Sequence, residues 1–354
     1  METLDPATED LSPGWLEGML AKRFRDARVS RVEIETSSEG TNANTQLRVT
    51  YAAPTDAPSH IFVKLPPRNP QQRELVLGSG MGRREVLFYR HLAPHVPMRV
   101  PQVYATGFDE GDGTFAILIE DLEASKCRIP DGETGVGRRL AERAMEDFAA
   151  LHQAGVRADT LDLSIVEPPL RQPLYAARML EHALATRADR MGAGFSAIAR
   201  LYIDHGEAVH DLWESGDAVL THGDGHLMNL FIDDGRLGFF DWGCFALAPA
   251  MRDVGYFLCM ALSVADRRAH ERDLIRHYLE HRHRLGAPVL SFDAAWAAHR
   301  LQASYAVIAA APALLNPAIG GDPNGLYAGH FVSRASAAVE DLGAADTLRA
   351  ELGL

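Results

Sequence analysis

The hydrophobic period of this chain changes once, near residue 121. Upstream, short segments alternate apolar and polar side chains. VSRVEIET (29–36) and TQLRVTYA (45–52) do so, with the turn-rich SSEGTNAN between them. HIFVKL (60–65), QVYATGF (102–108) and TFAILIE (114–120) are three further strand candidates. One stretch, MGRREVLFYRHLAP (81–94), has helical spacing instead: Val86, Tyr89 and Leu92 recur in steps of three and Pro94 stops it. Downstream the pattern is helical. GVGRRLAERAMEDFAALHQAG (135–155) is strongly amphipathic and closes on Gly. Helical texture returns at 176–190 and 198–215, and from about 250 to the end. A period of two suits a sheet and a period of 3.6 suits a helix. The chain therefore reads as α+β: a small five-stranded sheet with one helix (1–121), then a larger, mainly helical part (122–354). The joint falls in IEDLEAS (119–125).

The 354 residues are ample for a real core. A formal charge of −13 argues against nucleic-acid and anionic-membrane partners. Three cysteines, Cys127, Cys244 and Cys259, are odd in number and not at paired metal spacing, which fits a reducing compartment. The opening METLDPATEDLSPGW has no apolar run, so no secretory signal is expected. The longest apolar stretch, 254–265, is too short to span a bilayer. A cytoplasmic protein is expected.

The chemistry concentrates in THGDGHLMNLFIDDGRLGFFDWG (221–243). Asp-Gly between alternating apolar residues signals a hairpin turning at Asp233-Asp234-Gly235. Such a hairpin would return Asp241 towards Asn229. A carboxylate and an amide oxygen are hard ligands that suit Mg²⁺, and Asp224 could then take a proton from a substrate hydroxyl. Singly, each of these residues is an ordinary turn former. An Asp between Gly-Phe-Phe and Trp-Gly-Cys-Phe is costly to bury without a partner, and the combination points to phosphoryl transfer. A second reading takes His222, Asp224 and His226 as zinc ligands on one face of a strand, though no further His or Cys cluster supports it. The preferred role of His222 is to brace the loop.

Phosphoryl transfer needs a lysine at the phosphates and a carboxylate that orients it. Lys64 in HIFVKL and Glu85 in RREVLFYRHL fit, with Glu74 as a rival partner. Alone, Lys64 would read as an edge lysine that discourages aggregation. The turn SSEGTNAN lies where a phosphate-covering loop belongs. It carries only Gly40, so Ser38, Thr41 and Asn42 would have to help, and a plain polar turn is an equal reading. At the joint, the Glu120 carbonyl and Leu122 amide could meet an adenine edge.

Together these segments resemble the aminoglycoside phosphotransferase and choline/ecdysteroid-kinase-like superfamily, over nearly the whole chain from about Val29. The resemblance is carried by VKL at Lys64, REVLFYRHL at Glu85, LIEDL at the joint, ALH at His152, HGDGHLMN from His222 to Asn229, and FDWG at Asp241. It implies a bilobal protein-kinase-like fold with an antiparallel N-terminal sheet. Asp224 is then the catalytic base, and Asn229 and Asp241 are the Mg²⁺ ligands. Lys64 lies on the phosphates, Glu85 on Lys64, Gly40 and Thr41 in the phosphate loop, and Glu120 with Leu122 at adenine. Asp253 in PAMRDVGYFL supports the catalytic loop. The phosphate loop departs from the family in lacking its second glycine, which leaves ATP against GTP open. The expected activity is ATP- and Mg²⁺-dependent transfer to a hydroxyl of a small molecule, an aminoglycoside-, choline- or steroid-like alcohol. Acceptor contacts are expected from 157–215 and 266–323, while the apolar helix at 294–315 reads as core. The alternatives are a non-catalytic nucleotide-binding pseudokinase and the His/Asp metal hydrolase.

Overall fold

The computed structural model describes residues 4, 6, 11–154, 162–316 and 325–354. Gly155, expected to close a helix, and residues 157–161 and 317–323 of the expected acceptor stretches lie outside the described residues. The chain forms two compact units. The first is Met1–Arg128 with Phe240–Cys244, and the second is Ile129–Phe239 with Phe245–Leu354. The first unit thus runs past the boundary read at 121 and takes in a short downstream segment.

In the first unit, α1 (Pro13–Leu20) begins where the Ser12 side chain accepts the Trp15 N–H and Pro13 opens the helix. Strands β1 (Val29–Glu39) and β2 (Ala43–Tyr51) are longer than the alternation suggests. Ser37 pairs with Thr45 and Ser38 with Asn44, so the expected eight-residue turn shrinks to Gly40–Thr41–Asn42. After β3 (His60–Leu65) come α2 (Pro70–Ser79), capped by Asn69, and α3 (Met81–Leu87). A π-helical turn, Phe88–Leu92, prolongs α3 and ends ahead of Pro94. The unit finishes with β4 (Val103–Phe108) and β5 (Phe115–Glu120). Among the described residues, these strands form one five-stranded antiparallel sheet in the order β1-β2-β3-β5-β4. Helices α1 and α2 are additional to the one helix expected.

Alternation sets the two faces of this sheet. Leu47, Val49, Ile61, Val63, Ala116 and Leu118 pack with Leu16 and Leu20 of α1. Lys64, one residue out of phase with Val63 and Leu65, is directed to the opposite face.

The second unit opens with α4 (Arg138–Ala154), α5 (Pro173–Arg187) and α6 (Ala193–Trp213). Strand β6 (Ala218–Thr221) leads into the 222–229 loop, followed by the hairpin β7 (Leu230–Asp233) and β8 (Arg236–Phe239). Asp233 pairs with Arg236 across a two-residue turn in which Asp234 and Gly235 have φ of 44° and 75°. Positive φ at both positions matches the twist of the flanking strands, which is why Asp-Gly stands there. Strand β9 (Ala246–Pro249) pairs back with β6. There follow α7 (Met251–Ala261), α8 (Val264–Arg284), α9 (Phe292–Gln302), α10 (Tyr305–Leu315), α11 (Leu326–Asp341) and α12 (Ala344–Glu351).

The single apolar helix expected at 294–315 is two, α9 and α10, parted at Ala303 and Ser304. The break is held by side chains: Trp213 Nε1 donates to Ser304 Oγ at 2.8 Å and Gln302 Nε2 to the Trp213 carbonyl at 2.7 Å. Helix α10 is core as expected, with Val307, Ala310 and Leu314 buried against Phe195, Ile198 and Tyr202 of α6. Among the described residues no helix is long and apolar enough to cross a membrane.

Candidate active site

In the first unit the structure brings Lys64, Glu85 and Asp241 together. Lys64 is 6 % exposed. Its Nζ lies 2.5 Å from Glu85 Oε2 and 2.8 Å from Asp241 Oδ1. Glu85, rather than the rival Glu74, is therefore the helix carboxylate on the lysine. Burial works against the ammonium, but Asp241 and Glu85 outweigh it and hold the Lys64 pKa above its ordinary value. Burial pushes the Glu85 carboxyl up to about 7, against the pull of Lys64 and with a further push from Asp241. One buried cation between two carboxylates leaves a surplus negative charge.

Two features set the position of Asp241. Trp242 lies flat on Phe88, with ring centroids 3.9 Å apart and planes 6° from parallel, and its backbone N–H donates to Glu85. Asp241 itself has φ 61°, in the left-handed region. A non-glycine residue there is sparsely populated and concentrates at functional positions. The buried Asp241 suggested by its apolar neighbours is corrected: its side chain is 32 % exposed, while Trp242 takes the buried place. Aromatic neighbours mark the segment's anchor, not the accessibility of the acid.

The other nucleotide candidates of this unit are less constrained. Gly40 and Thr41 are exposed at the β1–β2 turn. Asn42 beside them is 7 % exposed, and its Oδ1 has no hydrogen-bond partner among the described residues, nor has Asn44 Oδ1. Buried polar atoms of this kind are usually satisfied by a ligand or water. The Glu120 carboxylate is held by Arg99 at 2.8 and 2.9 Å and by the Gln102 N–H at 3.0 Å. These contacts fix the end of β5 and leave any nucleotide role to its backbone. The Leu122 carbonyl accepts the Cys127 N–H, closing a turn after the joint.

In the second unit the structure brings Asp224 and Asn229 together. Asn229 Nδ2 donates to the Asp224 carbonyl at 2.9 Å and to its Oδ2 at 3.1 Å. With the amide nitrogen so committed, the amide oxygen is the atom through which Asn229 would bind a cation. The loop is tied from beneath by Asp253, which is 1 % exposed and accepts the backbone N–H of His222 and of Gly223, each at 2.8 Å. Burial opposes the charge on Asp253, but the His152 hydrogen bond and charge and the Gly223 N–H hold its carboxyl below the usual carboxylate range. His152 Nε2 lies 3.3 Å from Asp253 Oδ2, and its Nδ1 lies 2.8 Å from the Tyr278 hydroxyl. His222 braces the loop as expected, its Nδ1 accepting the Asp224 N–H. Gly223 has φ 81°, a conformation that suits glycine and turns the chain between His222 and Asp224.

The zinc reading fails on local geometry. Strand β6 ends at Thr221, so His222, Asp224 and His226 lie on an irregular loop rather than on one face of a strand. They form no metal-binding group among the described residues, where the group of His, Cys, Asp and Glu close enough to hold an ion is elsewhere. His226 instead caps the short 3₁₀ turn Leu227–Asn229 and packs on Phe331, ring centroids 5.1 Å apart. Sequence reading missed Trp242, Tyr278 and Arg99 as partners of site residues. Trp242 was visible in FDWG, whereas Tyr278 and Arg99 carry no local signal.

Comparisons with known proteins give the family and the fold. A sequence profile described as the phosphotransferase enzyme family matches residues 41–313. A choline kinase, LicA from Streptococcus pneumoniae, superposes with a TM-score of 0.51 at 15 % identity, covering 93 % of this chain and 97 % of its own. A candidate aminoglycoside phosphotransferase from Ralstonia eutropha JMP134 gives 0.51 at 16 % identity with the same coverages, 93 % and 97 %. At such identities the likeness shows the fold, a kinase-like α+β fold. A search of the curated proteins finds no match. The profile spans most of the chain, and the protein belongs to the phosphotransferase enzyme family.

Proposed function

We propose that this protein is an ATP- and Mg²⁺-dependent phosphotransferase that moves the γ-phosphate to a hydroxyl of a small molecule in the cytoplasm, with GTP as the alternative donor. The observation that carries the proposal is the buried Lys64 held by Glu85 and Asp241, in a chain of the phosphotransferase family. Lys64 would bind the phosphates and Glu85 would fix its direction. Gly40 and Thr41 would cover the phosphates, while the Glu120 carbonyl and Leu122 amide would meet the base. Asp241 and Asn229 offer a carboxylate and an amide oxygen, a donor set that fits Mg²⁺. When bound, Mg²⁺ would neutralise phosphate charge. Asp224 would accept the proton of the acceptor hydroxyl, and the Asp253–His152 support keeps its loop in place. Catalysis would be mainly positioning and charge neutralisation.

The surroundings of Asp224 bear on the acceptor. His226 Nε2 lies 3.6 Å from Asp224 Oδ2, and Phe331 and Tyr256 pack against His226. Burial raises the Tyr327 and Tyr256 pKa values, and the negative charge of Asp224 adds to both. A hydroxyl beside apolar or ring carbon suits such walls.

The test separates binding from turnover. Asp224→Ala should abolish ATP consumption with an acceptor panel and leave ATP affinity nearly unchanged. Asp241→Ala should weaken ATP binding in Mg²⁺ and have little effect in EDTA. Equal loss of affinity and turnover in a folded Asp224→Ala protein would refute the assigned role.

A further inference from the structure

Helix α8 carries several histidines among its arginines. The structure gathers two of them with a carboxylate from α4. His277 and His281 stand one turn apart on α8, four residues being the spacing that puts side chains on one helix face. Glu146 of α4 meets them there. Glu146 Oε1 is 2.9 Å from His277 Nε2, and one ligand atom from each of the three residues lies within 4.8 Å of the others. All three are half-buried. His281 Nδ1 is shielded from water and has no hydrogen-bond partner among the described residues.

We propose that Glu146, His277 and His281 form a Zn²⁺-binding site that ties α4 to α8. Two imidazoles and one carboxylate are the donor set of a three-ligand zinc site, with water in the fourth position. Imidazole nitrogen selects first-row transition ions over Mg²⁺ and Ca²⁺, which take oxygen. Ligand atoms on a zinc ion at about 2.0–2.2 Å stand roughly 3.3 Å apart, so small side-chain rotations suffice to close the site. The ordinary alternative is a His277–Glu146 ion pair on a helix surface. That pair accounts for two of the residues and leaves the approach of His281 to both of them unexplained. The site goes beyond the proposed phosphotransfer, since none of its residues is assigned to nucleotide, acceptor or proton transfer. It is anchored near a consequential bond, because Tyr278, between the two histidines in sequence, bonds His152.

The experiment is a Zn²⁺ titration of the metal-stripped full chain, without nucleotide, read by equilibrium dialysis and by melting temperature. A parallel Co²⁺ titration is read by visible absorption. Wild type should take up one ion per chain at this site, show the absorption of nitrogen-ligated Co²⁺, and melt at a higher temperature with Zn²⁺. His281→Ala should lose the Co²⁺ band. Glu146→Gln, which keeps the shape of the α4 surface, should bind Zn²⁺ at least about tenfold more weakly, because loss of a direct ligand should cost no less than loss of a supporting one. His226→Gln should bind as wild type does. Wild-type affinity in both His281→Ala and Glu146→Gln, or no Zn²⁺ uptake by wild type, would overturn the site. So would loss of binding in His226→Gln with retention in His281→Ala, which would move the metal to the 222–226 loop.

Discussion

Lys64 illustrates what one side chain must satisfy. Its ammonium is buried on the sheet face opposite α1, a cost that only the two carboxylates offset. Removing the cation would leave Glu85 and Asp241 facing each other. Lys64→Met should destabilise the protein by about 3 kcal/mol at pH 8, in the range for breaking one partner of a buried pair. The penalty should shrink as pH falls. The folded-state pKa of Glu85 is raised to about 7 from its ordinary 4.5. A raised acid binds more protons when folded, so its contribution to stability is greatest at low pH and falls as pH rises from 4.5 through 7. Without Lys64 that pKa rises further, and protonation at pH 6 relieves the repulsion. Urea unfolding at pH 6 and pH 8 measures the difference, and Lys64→Met/Glu85→Gln should recover part of the loss at pH 8. An equal penalty at both pH values would count against this account. The pairing of Lys64 with Glu85 and of Asp224 with Asn229 was legible in sequence, because each residue stands in a short motif. The exposure of Asp241 was not, since apolar neighbours fix where a segment is anchored and not which way one acid points.

At the scale of elements, legibility followed periodicity and failed where periodicity was weak. Strand β3 was read residue for residue, and α4 nearly so, because one face of each is apolar. Helices α1 and α2 were passed over although Ser12-Pro13 and Asn69-Pro70 are ordinary helix starts; both are short, and α2 buries only Val76. The break between α9 and α10 falls inside a stretch read as one apolar helix, although His299, Arg300, Gln302 and Ser304 interrupt its apolar residues, and it depends on Trp213, about ninety positions away in sequence. The support of the 222–229 loop is likewise a product of elements. Helix α8 supplies Tyr278, α4 supplies His152, and α7 supplies Asp253, whose carboxylate takes the loop's N–H groups. Tyr278→Phe removes the hydroxyl that fixes the His152 ring and leaves Nδ1 without it. It should cost about 1–2 kcal/mol of stability. Turnover should fall several-fold while ATP affinity stays, because the loop carrying Asp224 loosens and the Lys64 cluster is untouched. Steady-state kinetics beside ATP titration checks this. A loss of ATP affinity with unchanged kcat would disprove it.

For the whole molecule, the change of period near residue 121 correctly announced a sheet-rich part followed by a helical one. It could not announce that Phe240–Cys244 groups with the first unit. That return is set by Trp242 on Phe88 and by Lys64 on Asp241, contacts between residues more than 150 positions apart. Its consequence is testable on the intact chain. Asp241 is engaged by Lys64, so under the proposed function ATP and Mg²⁺ would exchange that ion pair for new contacts with both residues. ATP with Mg²⁺ should then raise the melting temperature clearly, since a ligand at about a hundred times its dissociation constant adds roughly 2.7 kcal/mol. ATP in EDTA should stabilise much less, because the contacts made through the cation are then lost. Asp241→Ala should reduce the Mg²⁺-dependent part and spare the rest, since Lys64 remains paired with Glu85. If ATP and GTP give no shift in Mg²⁺, the nucleotide role of the Lys64 cluster fails. If the shift is the same in Mg²⁺ and in EDTA, the nucleotide role stands and the assignment of Asp241 and Asn229 to the metal fails.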